Sequence, residues 1–240
     1  MILSAHQPYF CPYPGYFAKA MRSDVFVILD SVQFPRGGTW ITRNRFKNDQ
    51  GTFWIGMPVW KKGRGLQQIN EVRICRDAGS DRKRLESITC AYAHAPYLDE
   101  HLPLFEGIFS ESCEGIADVD VGIISYVFRQ LRITTKIVLL SDLAVSGKGS
   151  DLIASLCGAL GASEYLAFTS ARKYLDEDPF RKAGVDISFI NPPAPVYPQL
   201  WGDFIPNLSV FDLLFNCGPK ARDIIGRASV KGLRAKSDCR

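Results

Sequence analysis

Two side chains able to carry or orient a proton, His6 and Gln7, stand directly after the short apolar run Ile2-Leu3-Ser4-Ala5. Histidine exchanges protons near neutrality, which makes His6 the first acid/base candidate, with Gln7 as its hydrogen-bonding neighbour. Both open a segment that continues Pro8-Tyr9-Phe10-Cys11-Pro12-Tyr13-Pro14-Gly15-Tyr16-Phe17. Pro8, Pro12 and Pro14 each fix φ, remove a backbone donor and push the preceding residue out of the helical region. The segment is therefore stiff. Its aromatic rings at 9, 10, 13, 16 and 17 need a surface to bury against. A rigid loop at a strand's carboxyl end suits a reactive group, with Tyr9 and Tyr16 as ring contacts for a ligand. The plain alternative is a structural loop with a capping histidine.

A second polar set, Asp30-Ser31-Val32-Gln33-Phe34, follows the apolar run Val25-Phe26-Val27-Ile28-Leu29. If the two strands are parallel neighbours, Asp30 and Gln33 lie beside His6 and Gln7; otherwise Asp30 caps a turn. Next come Thr42-Arg43-Asn44-Arg45-Phe46-Lys47. Strand alternation sends Arg43 and Arg45 to one face and Asn44 to the other, so at most one of these sets is expected to face the cleft. Arg43 is a plausible anchor for a diphosphate or carboxylate, and an exposed strand face explains it equally well.

Gly147-Lys148-Gly149-Ser150 precedes a helix and offers free amides to a phosphate. It is no Walker A loop, because Asp142 stands where that pattern requires glycine. Near the end, Gln199, Ser209, Asp212 and Asn216 are polar residues on or beside an apolar helix, either a binding group or a structural network. Cys11 lacks an activating partner and reads as a small buried thiol. His94 and His101 flank Pro96, which spoils a shared helical face for a metal and suggests surface or interface positions.

The elements that must position these residues follow from hydrophobic periodicity. Strands are expected at 2–5, 25–29, 136–140, 164–168 and 185–189. Helices are expected at 15–23, 80–93, 102–109, 118–131, 151–160, 171–183 and 209–218. The continuous apolar run at 25–29 belongs to a strand covered on both faces, hence a parallel sheet. Between residues 39 and 76 three further strands, 40–46, 52–59 and 67–74, are separated by turn-forming Asn48-Asp49-Gln50-Gly51 and Lys61-Lys62-Gly63-Arg64-Gly65. The predicted fold is α/β: a mostly parallel, Rossmann-like sheet with helices on both faces and an antiparallel insertion near 39–76. Residues 1–228 read as a single domain and 229–240 as a basic, flexible tail.

The 240 residues carry 46% apolar and 22% charged side chains, with net charge +4, too mild to argue for a nucleic-acid partner. Seven cysteines, none closer than fifteen positions to the next, permit neither a CxxC pair nor a disulfide framework to be written. No metal motif and no run long enough to span a membrane is present, and the opening lacks a secretory pattern, so a cytoplasmic protein is expected.

The blocks from His6 to Tyr16, from Asp24 to Phe34, Arg43-Asn44-Arg45 and Ser209-Val210-Phe211-Asp212-Leu213-Leu214-Phe215-Asn216-Cys217-Gly218 resemble the WbqC-like protein family across about residues 1 to 220. Family members are associated with bacterial surface polysaccharide clusters. The resemblance implies glycyl or other aminoacyl transfer to an amino sugar. The first thirty-five residues are also similar to the opening of pantothenate synthetase and other nucleotidyltransferase-like proteins, which implies ATP as a possible cofactor, although no clean HxGH is present.

The resulting expectation is a transferase acting on a small molecule, a nucleotide-linked amino sugar. His6 deprotonates the amine, Gln7 and Asp30 orient it, and Arg43 holds an anionic group. Tyr9, Tyr16, Gln33, Asn44, Gln199, Asp212 and Asn216 complete the binding set. The alternatives are an ATP-dependent amide ligase, a non-catalytic nucleotide-sugar-binding module and an assembly subunit.

Overall fold

The computed structural model describes residues 1–110 and 113–231, the side chains of 229–231 excepted. Its strands are β1 (Ile2–His6), β2 (Val25–Ile28), β3 (Arg43–Asn48), β4 (Gly51–Gly56), β5 (Lys136–Leu139), β6 (Glu164–Phe168) and β7 (Asp186–Ile190). Its helices are α1 (Pro14–Ala20), α2 (Ala78–Ala91), α3 (Leu98–Phe109), α4 (Ile116–Gln130), α5 (Gly149–Leu160), α6 (Asp178–Lys182), α7 (Val210–Cys217) and α8 (Ala221–Lys231). Five strands form one sheet in the order β5-β2-β1-β6-β7, every neighbour parallel. The chain winds outward from β1 through β2 to β5, then returns to the far side of β1 for β6 and β7. Strand order therefore reverses between β1 and β6, and crevices for ligands open at such reversals, outside the carboxyl ends of the strands.

Strand alternation divides the sheet's side chains between two cores. Phe26 and Ile28 pack with Tyr16 and Phe17 of α1 and with Ile124, Val127 and Phe128 of α4. Leu3, Ala5, Val25 and Val27 face the opposite way, onto Leu152 and Leu156 of α5 and Phe180 of α6. All four residues of β2 are buried, as a strand covered on both faces requires. α7 starts on Ser209, whose Oγ accepts the Phe211 amide at 3.3 Å. It stops at Gly218, where φ is +49° and a Cβ would meet the Tyr97 ring at 2.5 Å.

Three local expectations are corrected. The insertion is a two-stranded hairpin, β3 with β4, and residues 67–74 are no third strand. Only their end meets the expected neighbour, through an isolated antiparallel bridge from Ile74 to Val59; otherwise their backbone pairs elsewhere, with Ile69 and Asn70 amides donating to the Val32 and Asp30 carbonyls and the Ile74 amide to the Glu114 carbonyl, while Gln68 with Glu71 forms a capping box around a 3₁₀ turn. The helix expected at 171–183 breaks into a 3₁₀ turn at Thr169–Lys173 and the short α6, separated by Asp176, whose amide donates to Ser150 Oγ at 2.9 Å. His101 is not a surface residue; its Nδ1 lies 2.7 Å from the Tyr126 hydroxyl inside the core. α8, where no element was expected, runs through Lys231, and residues 232–240 of the basic segment lie outside the described residues.

Asp120 of α4 is fully buried, and neither carboxyl oxygen has a hydrogen-bond partner among the described residues. Burial raises its pKa well above the usual range. The folded chain thus keeps a proton that the unfolded chain releases near pH 4, so stability falls as pH rises through that value. Asp120→Leu is expected to gain about 1–3 kcal/mol in urea unfolding at pH 8, with a smaller gain at pH 4. Equal stability of the variant and the parent at pH 8 would contradict this.

Candidate functional site

At the carboxyl edge of β1 and β6 a cleft of about 820 Å³ opens. β1 and the loop after it bring His6, Gln7, Tyr9 and Tyr13; α1 brings Lys19; the hairpin side brings Trp40, Asn44 and Arg45. Gly149 and Ser150 at the start of α5, Phe168 at the end of β6, and Thr169 and Ser170 after it close the other wall. The location is the reversal of strand order, and the volume is that of a nucleotide-sized ligand.

His6 is half-buried, its ring edge-on to Tyr9 at 4.5 Å, Tyr16 at 4.9 Å and Phe168 at 5.8 Å. Nδ1 lies 3.0 Å from the Gln7 carbonyl oxygen. A carbonyl only accepts, so the proton sits on Nδ1 and Nε2 keeps a free lone pair. Burial first, and the Lys19 charge second, lower the ring's pKa to about 3 against the opposing Gln7 bond. The imidazole is neutral at physiological pH and acts as an acceptor.

The stiff loop is clamped from outside. Asn44 Nδ2 donates to the carbonyls of Phe10 at 3.1 Å and Cys11 at 2.7 Å, the Phe10 amide donates to Trp40, and the Val210 amide donates to Pro12. Cys11 sits at φ +46°, in the left-handed region, and its buried thiol is pushed to a pKa well above the ordinary value. That thiol is held protonated and unreactive.

Of the other expected residues, Gln7, Tyr9 and Asn44 line the cleft, Asn44 with its amide spent on the loop. Tyr16 is fully buried behind His6, its hydroxyl donating to the Gln7 carbonyl at 3.3 Å. Asp30 is turned away: its carboxylate accepts from Ser141 N at 3.0 Å and Ser141 Oγ at 2.5 Å, which ties the end of β2 to the turn after β5. Gln33 is exposed and bridges to Gln68. The Arg43 guanidinium stacks 4.5 Å over Trp54, outside the lining, while Arg45 of the same strand face reaches the cleft and donates to Asn207 O at 3.2 Å.

Gln199, Asp212 and Asn216 belong to a separate buried network. Asp212 accepts from Tyr92 at 2.7 Å and Tyr197 at 2.8 Å, Asn216 Nδ2 donates to the Asp212 carbonyl, and Gln199 accepts from Lys47 Nζ at 3.1 Å.

Lys19 escaped the sequence reading. It is 2% exposed and donates to the Ala5 carbonyl at 2.8 Å; burial without a counter-charge lowers its pKa to about 7. The available signal was a lone lysine in a helix, Pro14–Ala20, whose other members are apolar or small. Among the described residues no carboxylate lines the cleft; its charged side chains are Lys19 and Arg45.

A family model described as the WbqC-like protein family matches residues 7–224. The uncharacterized protein Rv1507c of Mycobacterium tuberculosis is 32% identical over 223 residues, spanning 91% of this chain and 95% of that protein. No solved structure matches, and no helix among the described residues is long and apolar enough to cross a membrane.

Proposed function

The chain belongs to the WbqC-like protein family, and on that premise we propose that it is a cytoplasmic transferase that forms an amide on the amine of a nucleotide-linked amino sugar. The observation that carries this reading is the neutral His6, its tautomer set by Gln7 and its Nε2 lone pair free, in a cleft whose charged lining is cationic. The sugar amine attacks the carbonyl carbon of an activated acyl or aminoacyl donor, a C–N bond forms, and the bond to the donor's leaving group breaks. The nitrogen becomes acidic as it adds to the carbonyl. A weak base such as His6 Nε2 then suffices to take its proton. Gln7 orients the amine; Asp30, held by Ser141, has no part in this.

The test is incubation of the purified chain with uridine-diphosphate amino sugars and acyl thioesters, with ATP plus glycine as a second donor arm. The expected result is a mass increase on the sugar equal to the acyl group. Product from the ATP arm alone would favour the ligase alternative. Saturable binding without product would replace the transferase by a binding module.

A further inference from the structure

Lys19 extends from α1 to the floor of the cleft, with the ring centroids of Phe168 at 4.6 Å and Phe26 at 5.7 Å from Nζ. It donates to one acceptor, the Ala5 carbonyl, although an ammonium has three donors. None of the ion pairs among the described residues includes it. Burying an unpaired cation is costly, and methionine would fill the same space without that cost. The cost is offset when an anion arrives.

Independent features of the same cleft point to the same ligand. α5, twelve residues long, begins there at Gly149 and Ser150, and no side chain caps its amides. Arg45 Nε is buried without a partner on the hairpin side, and the hydroxyl-bearing Thr169 and Ser170 line the wall that holds the start of α5. Helix amides, hydroxyls and a point-charge lysine together are the donor set for phosphoryl oxygens. A carboxylate would not need so many.

We propose that Lys19 holds the diphosphate of the nucleotide-bound substrate, against the uncapped start of α5. This rests on the reading of the substrate as nucleotide-linked. Calorimetry on the full chain with uridine diphosphate, adenosine diphosphate, inorganic pyrophosphate and uridine tests it. Lys19→Met is expected to weaken uridine diphosphate binding about tenfold or more and to leave uridine binding unchanged. The exposed Lys62→Met is expected to change neither.

A footprint on the parent protein covers the case in which Lys19→Met does not fold. Uridine diphosphate, but not uridine, should slow acetylation of Lys19 by an activated ester, read by peptide mass. Unchanged affinity in the variant, unchanged acetylation in the parent, or no binding of any phosphate probe overturns the assignment. Loss of diphosphate binding in Lys19→Met with no amide product from the parent would sink the transferase reading and leave the diphosphate site standing. Product formation indifferent to Lys19→Met would sink the site alone.

Discussion

Asp212→Ala is expected to lower the unfolding free energy by about 3–5 kcal/mol, the largest stability loss anticipated from a single substitution in this chain. The carboxylate is fully buried in α7 and accepts from two phenols, Tyr92 of the segment after α2 and Tyr197 of the segment after β7. Tyr92 in turn accepts the Lys47 amide of β3 at 2.9 Å. Removing Asp212 leaves two buried hydroxyls without acceptors and opens a hole between α7, the hairpin and the 190s segment. Asp212→Asn retains one acceptor and is expected to lose about 1–2 kcal/mol. Urea unfolding followed by tryptophan fluorescence measures both; a loss below 1 kcal/mol for Asp212→Ala would show that the network does not hold these elements together.

The largest effect on activity is expected at His6. His6→Ala should reduce kcat by about 10²–10⁴ with little loss of fold, since the residue is only half-buried. The pH behaviour separates this role from a merely structural one. A histidine with pKa about 3 in the fold binds its proton in the unfolded chain near 6.5, so its contribution to stability is lost as pH falls from 6.5 toward 3. His6→Ala removes that contribution and flattens the decline; His101, lowered to about 4, still supplies part of it. Lys19's charge is the second cause of the depression at His6, so an anion bound on Lys19 is expected to weaken that effect and raise the basicity of Nε2. The diphosphate site and the base would then be coupled through one electrostatic contact. Activity of His6→Ala within threefold of the parent would contradict the role.

Much of the architecture was legible in the chain because it depends on local periodicity. The run Val25–Leu29 announced a parallel strand, the Gly-Pro pair at 218–219 announced the end of α7, and both stand in the structure. Residues 67–74 form no continuous strand because their bridges are divided among Gln33, Val59 and Gly115; the one to Val59 follows the expected meander, and the other two partners are specified by no local pattern. The site was legible only in part, for the same reason. Alternation puts Asn44 and the two arginines on opposite faces and so expects one set at most in the cleft, yet Asn44 and Arg45 both line it while Arg43 stacks on Trp54, because reach depends on how the hairpin docks. Asp30 stands at the predicted strand end, but the turn after β5 offers it Ser141, and a carboxylate takes the nearest donors. Lys19 carries no motif; its meaning comes from α1 lying against β1, which brings the ammonium to the Ala5 carbonyl.

The cleft is expected to present a neutral His6 imidazole protonated at Nδ1 with an open Nε2. Nitrogen-15 spectra of the full chain address this directly, since it has three histidines and His6→Ala identifies the His6 signals. At pH 7 His6 is expected to show a protonated Nδ1 and an unprotonated Nε2, and neither signal should titrate between pH 8 and pH 5. An imidazolium forming at His6 near pH 6.5, or a proton on Nε2, would contradict it.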